Sequence, residues 1–396
     1  LQAETGIALQ AEGEIQPVTT QIPVELQSLA GDILRLAISA RWDGASLWML
    51  DHLRLETQGP VIELSGDYDS ETHSLASRAI VHIGDFSFLN RLTGLNLAGA
   101  AVLSATISGP FQQPEADIQI HMDKPRVEDV AMEHLSLSLQ AAVLEPYENT
   151  FPPLQLTATG HGTDLIYHAT PAFHENHLSW AFHGVAGPTT SITIQQMDLR
   201  GTSFETRIVG TADYAIPSVS LTVDGQLSSM RRFAKLVNVP LDGSLRFQAD
   251  LEGNAGTHSL VSTFNGSVKN LKGLSGLPAA LTGSAVDWNG RVILNQGEEL
   301  TLANFQLKSA ALQVTASATA DLSKRSLGVT WKFNLPQLAR LSLWPGHPIT
   351  GSLSGDGQAG GVWPDLAFET GLQSGDLTLD GISLGRAAAS LRAKNL

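Results

Sequence analysis

The sequence contains no cysteine, which excludes disulfide bonds, thiol nucleophiles and metal sites built on thiolates. Charge is also scarce, because Asp, Glu, Lys and Arg make up 16% of the chain, against about 25% in an average soluble domain. No apolar run approaches the roughly 20 residues that a transmembrane helix needs. Acidic residues outnumber basic ones by 39 to 24, and the resulting net charge of −15 disfavours nucleic acid as a partner.

The chain is too long for a single compact core, since 396 residues usually form about two or three domains. Hydrophobic residues make up 42%, which excludes intrinsic disorder, because disordered chains combine low hydrophobicity with high net charge. The chain opens on Leu1-Gln2-Ala3-Glu4, without an initiator methionine or a signal peptide. We therefore expect it to be a segment of a longer protein.

Apolar and polar residues alternate with a period of two along most of the chain. Leucine alternates with serine over Leu135–Leu139, and a similar alternation extends over Leu245–Leu251. Successive side chains of a strand point to opposite faces, so each such segment is predicted to be a strand with one apolar face. The sequence therefore predicts an all-β fold built on an antiparallel sheet. Tight hairpin turns are predicted at Asp224-Gly225, Asp242-Gly243, Asn289-Gly290 and Asp380-Gly381.

Three segments of similar sequence indicate repeats: Val61–Tyr68, Arg207–Tyr214 and Val314–Leu322. A short helical pattern with apolar residues three apart follows each segment. The predicted helix faces are Phe86, Leu89 and Leu92; Met230, Phe233 and Leu236; and Leu335, Leu338 and Leu341. Helices repeated inside a strand pattern favour an elongated, curled repeat sheet in which each unit meets only its neighbours.

The repeats set the predicted domain boundaries. These are a preceding β-repeat portion at 1–60; repeat 1 at 61–205, with a helix near 86–93 and an inserted hairpin unit near 140–190; repeat 2 at 206–311, with a helix near 228–237; and an incomplete repeat 3 at 312–396, with a helix near 336–342. A glycine follows each helix, and the spacings from Gly99 to Gly243 and from Gly243 to Gly351 are 144 and 108 residues. Both are multiples of 36, which suggests a smaller unit of one or two hairpins that occurs once more in the first interval.

One cadence recurs after the helices: a strand that begins near a glycine, a second glycine, a short gap with a proline, and another strand. Leu97–Gly109 followed by Pro114 has this cadence, and so has Ile349–Gly355 followed by Trp363-Pro364. The cadence is similar to the central region of the TamB family, within the AsmA-like superfamily of Gram-negative envelope proteins, over most of residues 61–396. This resemblance implies a long curled sheet, often called a β-taco, with an apolar groove inside.

The resemblance also implies a function. Proteins of this family are anchored in the inner membrane by an N-terminal helix, reach across the periplasm and are implicated in moving phospholipids to the outer membrane. An Omp85-type outer-membrane partner (TamA-like) links them to the insertion of outer-membrane proteins. We therefore expect a periplasmic segment of an anchored protein that binds phospholipid acyl chains, catalyses no reaction and needs no cofactor.

The groove lining is predicted from the alternation of the strands. Its members are apolar residues that share one face of their strand. They are Ile62, Leu64, Ile118, Ile120, Leu135, Leu137, Leu139, Ile192, Ile194, Leu221, Val223, Leu245, Phe247, Leu251, Leu377 and Leu379. Their neighbours Ser136, Ser138, Thr193 and Gln248 are predicted to face water, because adjacent residues of a strand point to opposite faces. A slip of one residue in the register would invert every face.

Two other sequence features point to different chemistry and are given simpler explanations. A cluster of histidines suggests a zinc site, but no ligand spacing joins it to an acid, so we expect solvent-facing histidines. The cluster comprises His161, His168, His174, His177 and His183. Gly355–Gly360 matches the glycine pattern of dinucleotide-binding loops, yet a strand pattern follows it instead of a helix. We therefore expect these glycines at a turn or a bulge.

Other functions remain open from the sequence. A structural scaffold could pair its sheet edges with strands of client outer-membrane proteins, and bound lipid would argue against it. A surface β-helix or adhesin-like passenger would have shorter regular rungs with ladders of Asn and Gly. A polysaccharide-active enzyme is the least favoured, because no convergent pair of carboxylates can be nominated.

Overall fold

The predicted all-β antiparallel fold is confirmed. The structure, a computed structural model, describes residues 6–15, 34–57, 59–146, 152–167, 173–187, 190–213, 215–232, 240–341 and 348–394. Nearly all of these residues lie in strands that pair antiparallel with a neighbour in the chain. The chain divides into two compact units, Leu1–Thr202 and Ser203–Leu396.

The first unit is a meander in which each long strand pairs with the next. The two-residue strand β8 lies beside β7 and β10, so β7 also pairs directly with β9. The strands described in this unit are β1 (Ile7–Ile15), β2 (Leu34–Trp42), β3 (Leu47–Glu56), β4 (Pro60–Asp69), β5 (Ser74–Ile83), β6 (Leu97–Pro110), β7 (Glu115–Val127), β8 (Val130–Ala131), β9 (His134–Val143), β10 (Leu154–Tyr167), β11 (Phe173–Ala186) and β12 (Ser191–Gly201).

The second unit repeats this arrangement. Each strand again pairs antiparallel with the next along the chain. Its described strands are β13 (Phe204–Asp213), β14 (Ser218–Leu227), β15 (Asp242–Asn254), β16 (Ser259–Lys272), β17 (Ala285–Asn295), β18 (Glu299–Ser309), β19 (Gln313–Asp321), β20 (Ser326–Leu335), β21 (Ile349–Val362), β22 (Asp365–Leu379) and β23 (Ile382–Lys394).

Several strands contain a bulge that keeps the two faces distinct. Leu50 lies opposite Gly66 and Leu53 lies opposite Leu64, so two residues of β3 stand where β4 has one. The additional residue puts the residues on both sides of the bulge on matching faces of the sheet. Because of this, Leu50 and Leu53 both remain on the apolar face of the sheet.

Short helices lie at the ends of strands. A 3-10 helix at Phe86–Leu89 continues into an α-helical turn at Asn90–Thr93, and further 3-10 turns lie at Met230–Arg232 and Leu338–Leu341. These lie within the predicted helix spans. The α-helix Gly276–Thr282 was not predicted, because two turns give too short an apolar pattern to distinguish it from a loop. Of the predicted helix-face residues, Phe233 and Leu236 lie outside the described part of the chain, and so do the side chains of Leu92 and Leu341.

Three of the four predicted hairpin turns are wrong. Asp224-Gly225 lies inside β14 and Asn289-Gly290 inside β17, while Asp242-Gly243 begins β15; only Asp380-Gly381 connects two strands. Gly355–Gly360 is likewise not a turn, since it lies in the middle of β21. In three of these strands, the glycine makes room for an aromatic ring of a neighbouring strand, as described below for Gly225, Gly290 and Gly355.

The spacing of the repeat glycines corresponds to a difference in strand number. Between Gly99 and Gly243 the described residues form eight strands of nine residues or more, β6, β7 and β9 to β14. Between Gly243 and Gly351 they form six, β15 to β20. The first interval thus holds one more hairpin. The proposed repeat boundaries themselves stay predictions.

The closed core is small for so long a chain. Among the described residues, seven apolar side chains are buried: Ala101, Pro152, Val268, Val286, Ala311, Leu335 and Leu338. In the second unit, the helix Gly276–Thr282 and the turn Leu338–Leu341 pack on each other, and this turn also packs on β21. Most apolar strand residues lie outside this core, so their face of the sheet is left largely uncovered.

Candidate functional site

The register of the first unit brings its predicted groove residues onto one face. Ile120 lies directly opposite Leu103 on one side and Leu137 on the other. Following such pairs from strand to strand gives one uninterrupted apolar row. From β1 to β12, with the short β8 outside it, the row consists of Gly13, Leu36, Leu55, Ile62, Val81, Leu103, Ile120, Leu137, Gly160, Trp180 and Leu199.

The remaining predicted residues of this unit lie on the same face, in rows beside the first. Ile118 lies opposite Leu139, and Leu135 lies opposite Gly162. Beyond a bulge in β12, Ile194 lies opposite Gly184 and Ile192 opposite Ala186. Leu64 lies opposite Leu53 and Ala79.

The second unit has a corresponding apolar row. Phe247 lies between Gly225 and Gly266, and each further pair again joins two apolar residues or glycines. From β14 to β23 the row consists of Gly225, Phe247, Gly266, Trp288, Leu307, Val314, Phe333, Gly355, Leu372 and Ala389. At about 4.8 Å per strand, this row is about 43 Å long.

The other predicted residues of the second unit share this face. Leu221 lies opposite Leu251, Val223 opposite Ala249, and Leu245 opposite Leu227. In β22, Leu377 and Leu379 follow a bulge, and Leu379 lies opposite Ile349.

All sixteen predicted groove residues remain partly exposed. Fifteen of them are half-buried, and Leu379 is 37% exposed. Their neighbours on the sheet cover their flanks, whereas the outward side stays open. Among the helix-face residues, Leu335 and Leu338 are buried, while Phe86, Leu89 and Met230 are half-buried. The apolar faces therefore offer surface that another apolar molecule could cover.

A pairing of aromatic rings with glycines shapes the apolar faces, and sequence reasoning missed it. In each pair, the ring of one strand lies across the glycine directly opposite, so that a Cβ at the glycine would overlap the ring. The pairs are Trp180 with Gly160, Phe247 with Gly225, Trp288 with Gly266, Phe264 with Gly290, Trp331 with Gly357, and Phe333 with Gly355. The rings lie low over the backbone because the glycines have no side chain.

These pairs explain the glycine pattern in β21. Gly355 and Gly357 accommodate Phe333 and Trp331 of β20. The Trp331 ring then stacks on Phe368, with ring centroids 5.8 Å apart. One sequence signal could have revealed these pairs: the aromatic residue and the glycine stand about the same number of residues from the turn between their two strands.

The opposite face of the first unit is polar and carries cross-strand ion pairs. Arg35 bonds Glu14 at 2.8 Å, and Arg54 contacts both Glu56 and Glu63 within 2.7 Å. Glu56 also lies 3.8 Å from Arg35, which links the groups into one ladder over β1 to β4. These groups range from half-buried to exposed, so we assign the ladder to solubility and register rather than to catalysis.

The described members of the predicted histidine cluster are spread over β10 and β11. The Ser136 hydroxyl hydrogen-bonds His161 at 2.8 Å, and the Thr157 hydroxyl hydrogen-bonds His183 at 3.1 Å. His174 lies 3.3 Å from Asp164, and His177 is exposed. His168 lies outside the described residues. Within the part of the chain that the structure describes, no group of three metal-ligating side chains is gathered.

Aspartates at the ends of β4, β13 and β19 have a structural role in turns. The Asp213 carboxylate accepts hydrogen bonds from the Ala215 and Ile216 amides, and that of Asp321 accepts one from the Lys324 amide. The equivalent residue of the first repeat is Asp69, which accepts from the Glu71 amide at 2.8 Å. This bond is the largest cause that lowers the pKa of Asp69. Asp67, two residues earlier in the chain, lies on the polar face of β4.

The chain matches no protein-family description and none of the curated proteins. Within the described ranges, no helix has the length and apolar character needed to cross a membrane.

Proposed function

We propose that the chain is a non-catalytic segment of a periplasmic envelope protein that carries phospholipid acyl chains between the inner and outer membranes. The proposal follows the resemblance to the TamB family. The observation that supports it most directly is the uncovered apolar row in each unit. A polar group in that row would cost several kcal/mol when covered by lipid, and from β1 to β12 and from β14 to β23 the rows contain none.

The physical argument starts from the apolar surface that the protein itself leaves exposed to water. Apolar surface contributes about 25 cal/mol per Å² when it leaves water. In this chain, only seven described residues with apolar side chains reach burial within the protein itself. An acyl chain laid on either row would cover half-buried leucine, isoleucine and ring surface. The bound acyl chain would remove this apolar surface from water without any change of fold.

The test is the lipid content of the purified chain, measured by native mass spectrometry after expression in a Gram-negative host. We expect phospholipid to accompany the wild-type chain. Leu137→Asp and Phe247→Asp should each reduce the bound lipid at least about tenfold, because a charge stranded in an apolar lining costs several kcal/mol.

Each variant has a matched control on the adjacent residue. Ser138→Asp and Gln248→Asp place the same charge on the polar face of β9 and β15 and should retain wild-type lipid. Circular dichroism checks that all four variants keep their strands. Absence of lipid from the wild-type chain would contradict the proposal, and so would equal losses in a variant and its control.

A further inference from the structure

Cationic side chains are concentrated at one end of four neighbouring strands of the second unit, β15 to β18. At this end the strands adjoin the turn Met230–Arg232 and the helix Gly276–Thr282, whereas hairpin turns join them at the other end. The turn Leu338–Leu341 packs on the helix. We call this end the basic edge and define it as residues 226–232, 240–246, 267–287, 308–313 and 334–341. Six cationic side chains are described there, all of them exposed: Arg231, Arg246, Lys269, Lys272, Lys308 and Arg340.

Few carboxylates compensate these cations. Among the described residues of the basic edge, only Asp242 and Asp287 carry one. Asp242 accepts hydrogen bonds from the Gly243 amide at 2.8 Å and from the Ser229 hydroxyl at 3.1 Å. None of the six cations has a carboxylate within 4 Å in the part of the chain that the structure describes. With β13 included, Glu205 adds one further negative charge, so the edge stays net positive.

The opposite ends of the same strands are acidic. Residues 252–260 and 292–300 contain three glutamates and neither lysine nor arginine. Lys308 and Glu299 lie nine residues apart on β18, so about 30 Å separates the two ends. Since the Debye length is about 10 Å at 0.1 M salt, a partner at the basic edge is screened from these glutamates. The edge therefore offers a local positive potential in a chain whose net charge is −15.

An exposed leucine stands among the cations. Leu277 belongs to the helix Gly276–Thr282, which begins four residues after Lys272, and it is 55% exposed. The Ser309 hydroxyl donates to the Leu281 carbonyl at 2.5 Å and fastens this helix to the end of β18. Basic side chains around an exposed apolar one are typical of segments that bind at the surface of an anionic bilayer, where the apolar side chain enters the headgroup region.

The arrangement favours a lipid surface over an acidic protein segment. The six cations are spread over four strands and two turns, and each is a long side chain with several rotatable bonds. Holding such side chains against carboxylates at fixed positions costs side-chain entropy. Lipid headgroups diffuse within the bilayer and gather around the cations where they stand, so a membrane surface needs no fixed match of partners.

We propose that the basic edge of the second unit binds the surface of an anionic phospholipid membrane, with Leu277 inserted among the headgroups. The edge lies at the strand ends, away from the apolar row. The proposal is therefore independent of the proposed carriage of acyl chains, and either can fail without the other.

The measurement is co-sedimentation of the full chain with vesicles at low salt. We expect binding to vesicles of phosphatidylglycerol and phosphatidylcholine in equal parts, and none to phosphatidylcholine alone. Each basic side chain near an anionic surface raises binding about fivefold, so the double variant Lys269→Gln, Lys272→Gln should bind about tenfold to thirtyfold more weakly. Leu277→Ala should weaken binding about fivefold, because a smaller apolar side chain enters the headgroup region.

The matched control is the double variant Arg325→Gln, Lys394→Gln. It removes the same charge from two exposed side chains at the hairpin end of the strands, outside the basic edge, so it should bind like the wild type. Leu137→Asp separates the two proposals, since it is expected to lose the carried lipid and to keep its binding to vesicles. Circular dichroism checks that every variant keeps its strands.

Four results would overturn the proposal. The first is an absence of binding to the vesicles that contain phosphatidylglycerol. The second is equal binding to vesicles of phosphatidylcholine alone, which would show that the cations are not used. The third is an equal loss of binding in the lysine variant and its control. The fourth is tighter binding of polyglutamate than of the anionic vesicles in a competition experiment, which would assign the basic edge to an acidic peptide.

Discussion

Replacing Gly266 by alanine tests whether aromatic rings lie on the backbone of the apolar face. A Cβ at position 266 would lie 2.5 Å from Cζ2 of Trp288, far inside van der Waals contact. The ring must lift or the strands must shift, and such overpacking costs about 1–3 kcal/mol. The lower entropy of the unfolded alanine chain returns about 0.4–1 kcal/mol. We therefore expect a net loss of about 1–2 kcal/mol.

Gly371→Ala is the matched control in the same unit. It lies in β22, and the nearest atom to its Cβ would be the Asp356 carbonyl oxygen at 3.9 Å. Without a clash, the entropic term alone should stabilise this variant by about 0.4–1 kcal/mol.

The measurement is urea unfolding followed by circular dichroism and tryptophan fluorescence. With m of about 1–3 kcal/mol/M for a small domain, the midpoints of the two variants should differ by about 1 M. In the Gly266→Ala background, Trp288→Leu should recover part of the loss, because it removes the clashing ring. Equal midpoints for Gly266→Ala and Gly371→Ala would refute the ring-on-glycine arrangement.

Two further predictions concern the small core and the turns. Leu338→Ala should lower the free energy of unfolding in urea by about 2–5 kcal/mol, since Leu338 is 6% exposed. The control Leu277→Ala changes a residue that is 55% exposed and should stay within about 0.5 kcal/mol of wild type. Similar losses in the two variants would show that the contact between the helix and the turn is not a core. The hydrogen bond from the Lys324 ammonium group is the largest cause that lowers the pKa of Asp321, and the Lys324 amide donates to the same carboxylate. The stabilisation by this carboxylate is therefore present above its unfolded-state pKa of about 3.9 and is lost as the pH falls through the lower folded value. Asp321→Ala at neutral pH should therefore reduce the hydrogen-exchange protection of the Lys324 amide. Protonation of Asp321 by acid should have the same effect in the wild type. Unchanged protection in both experiments would contradict the role of the carboxylate as acceptor for this amide.

The sequence by itself determined that the chain forms strands and which residues share a face of the sheet. Alternation is a local property, and Leu135–Leu139 identifies its strand and its apolar side without any knowledge of the neighbours. The predicted groove residues accordingly fall on one face in each unit. Their role with lipid stays a prediction, because nothing in the chain itself covers them.

Only the tertiary structure decided where strands turn and what each glycine does. Asp224-Gly225 and Asn289-Gly290 look like hairpin turns because local conformational preference favours glycine there. In the fold they lie inside strands, since Phe247 and Phe264 of the paired strands need the space above them. Such pairings join residues that are distant in the chain, so no local pattern contains them; they follow from cross-strand register alone.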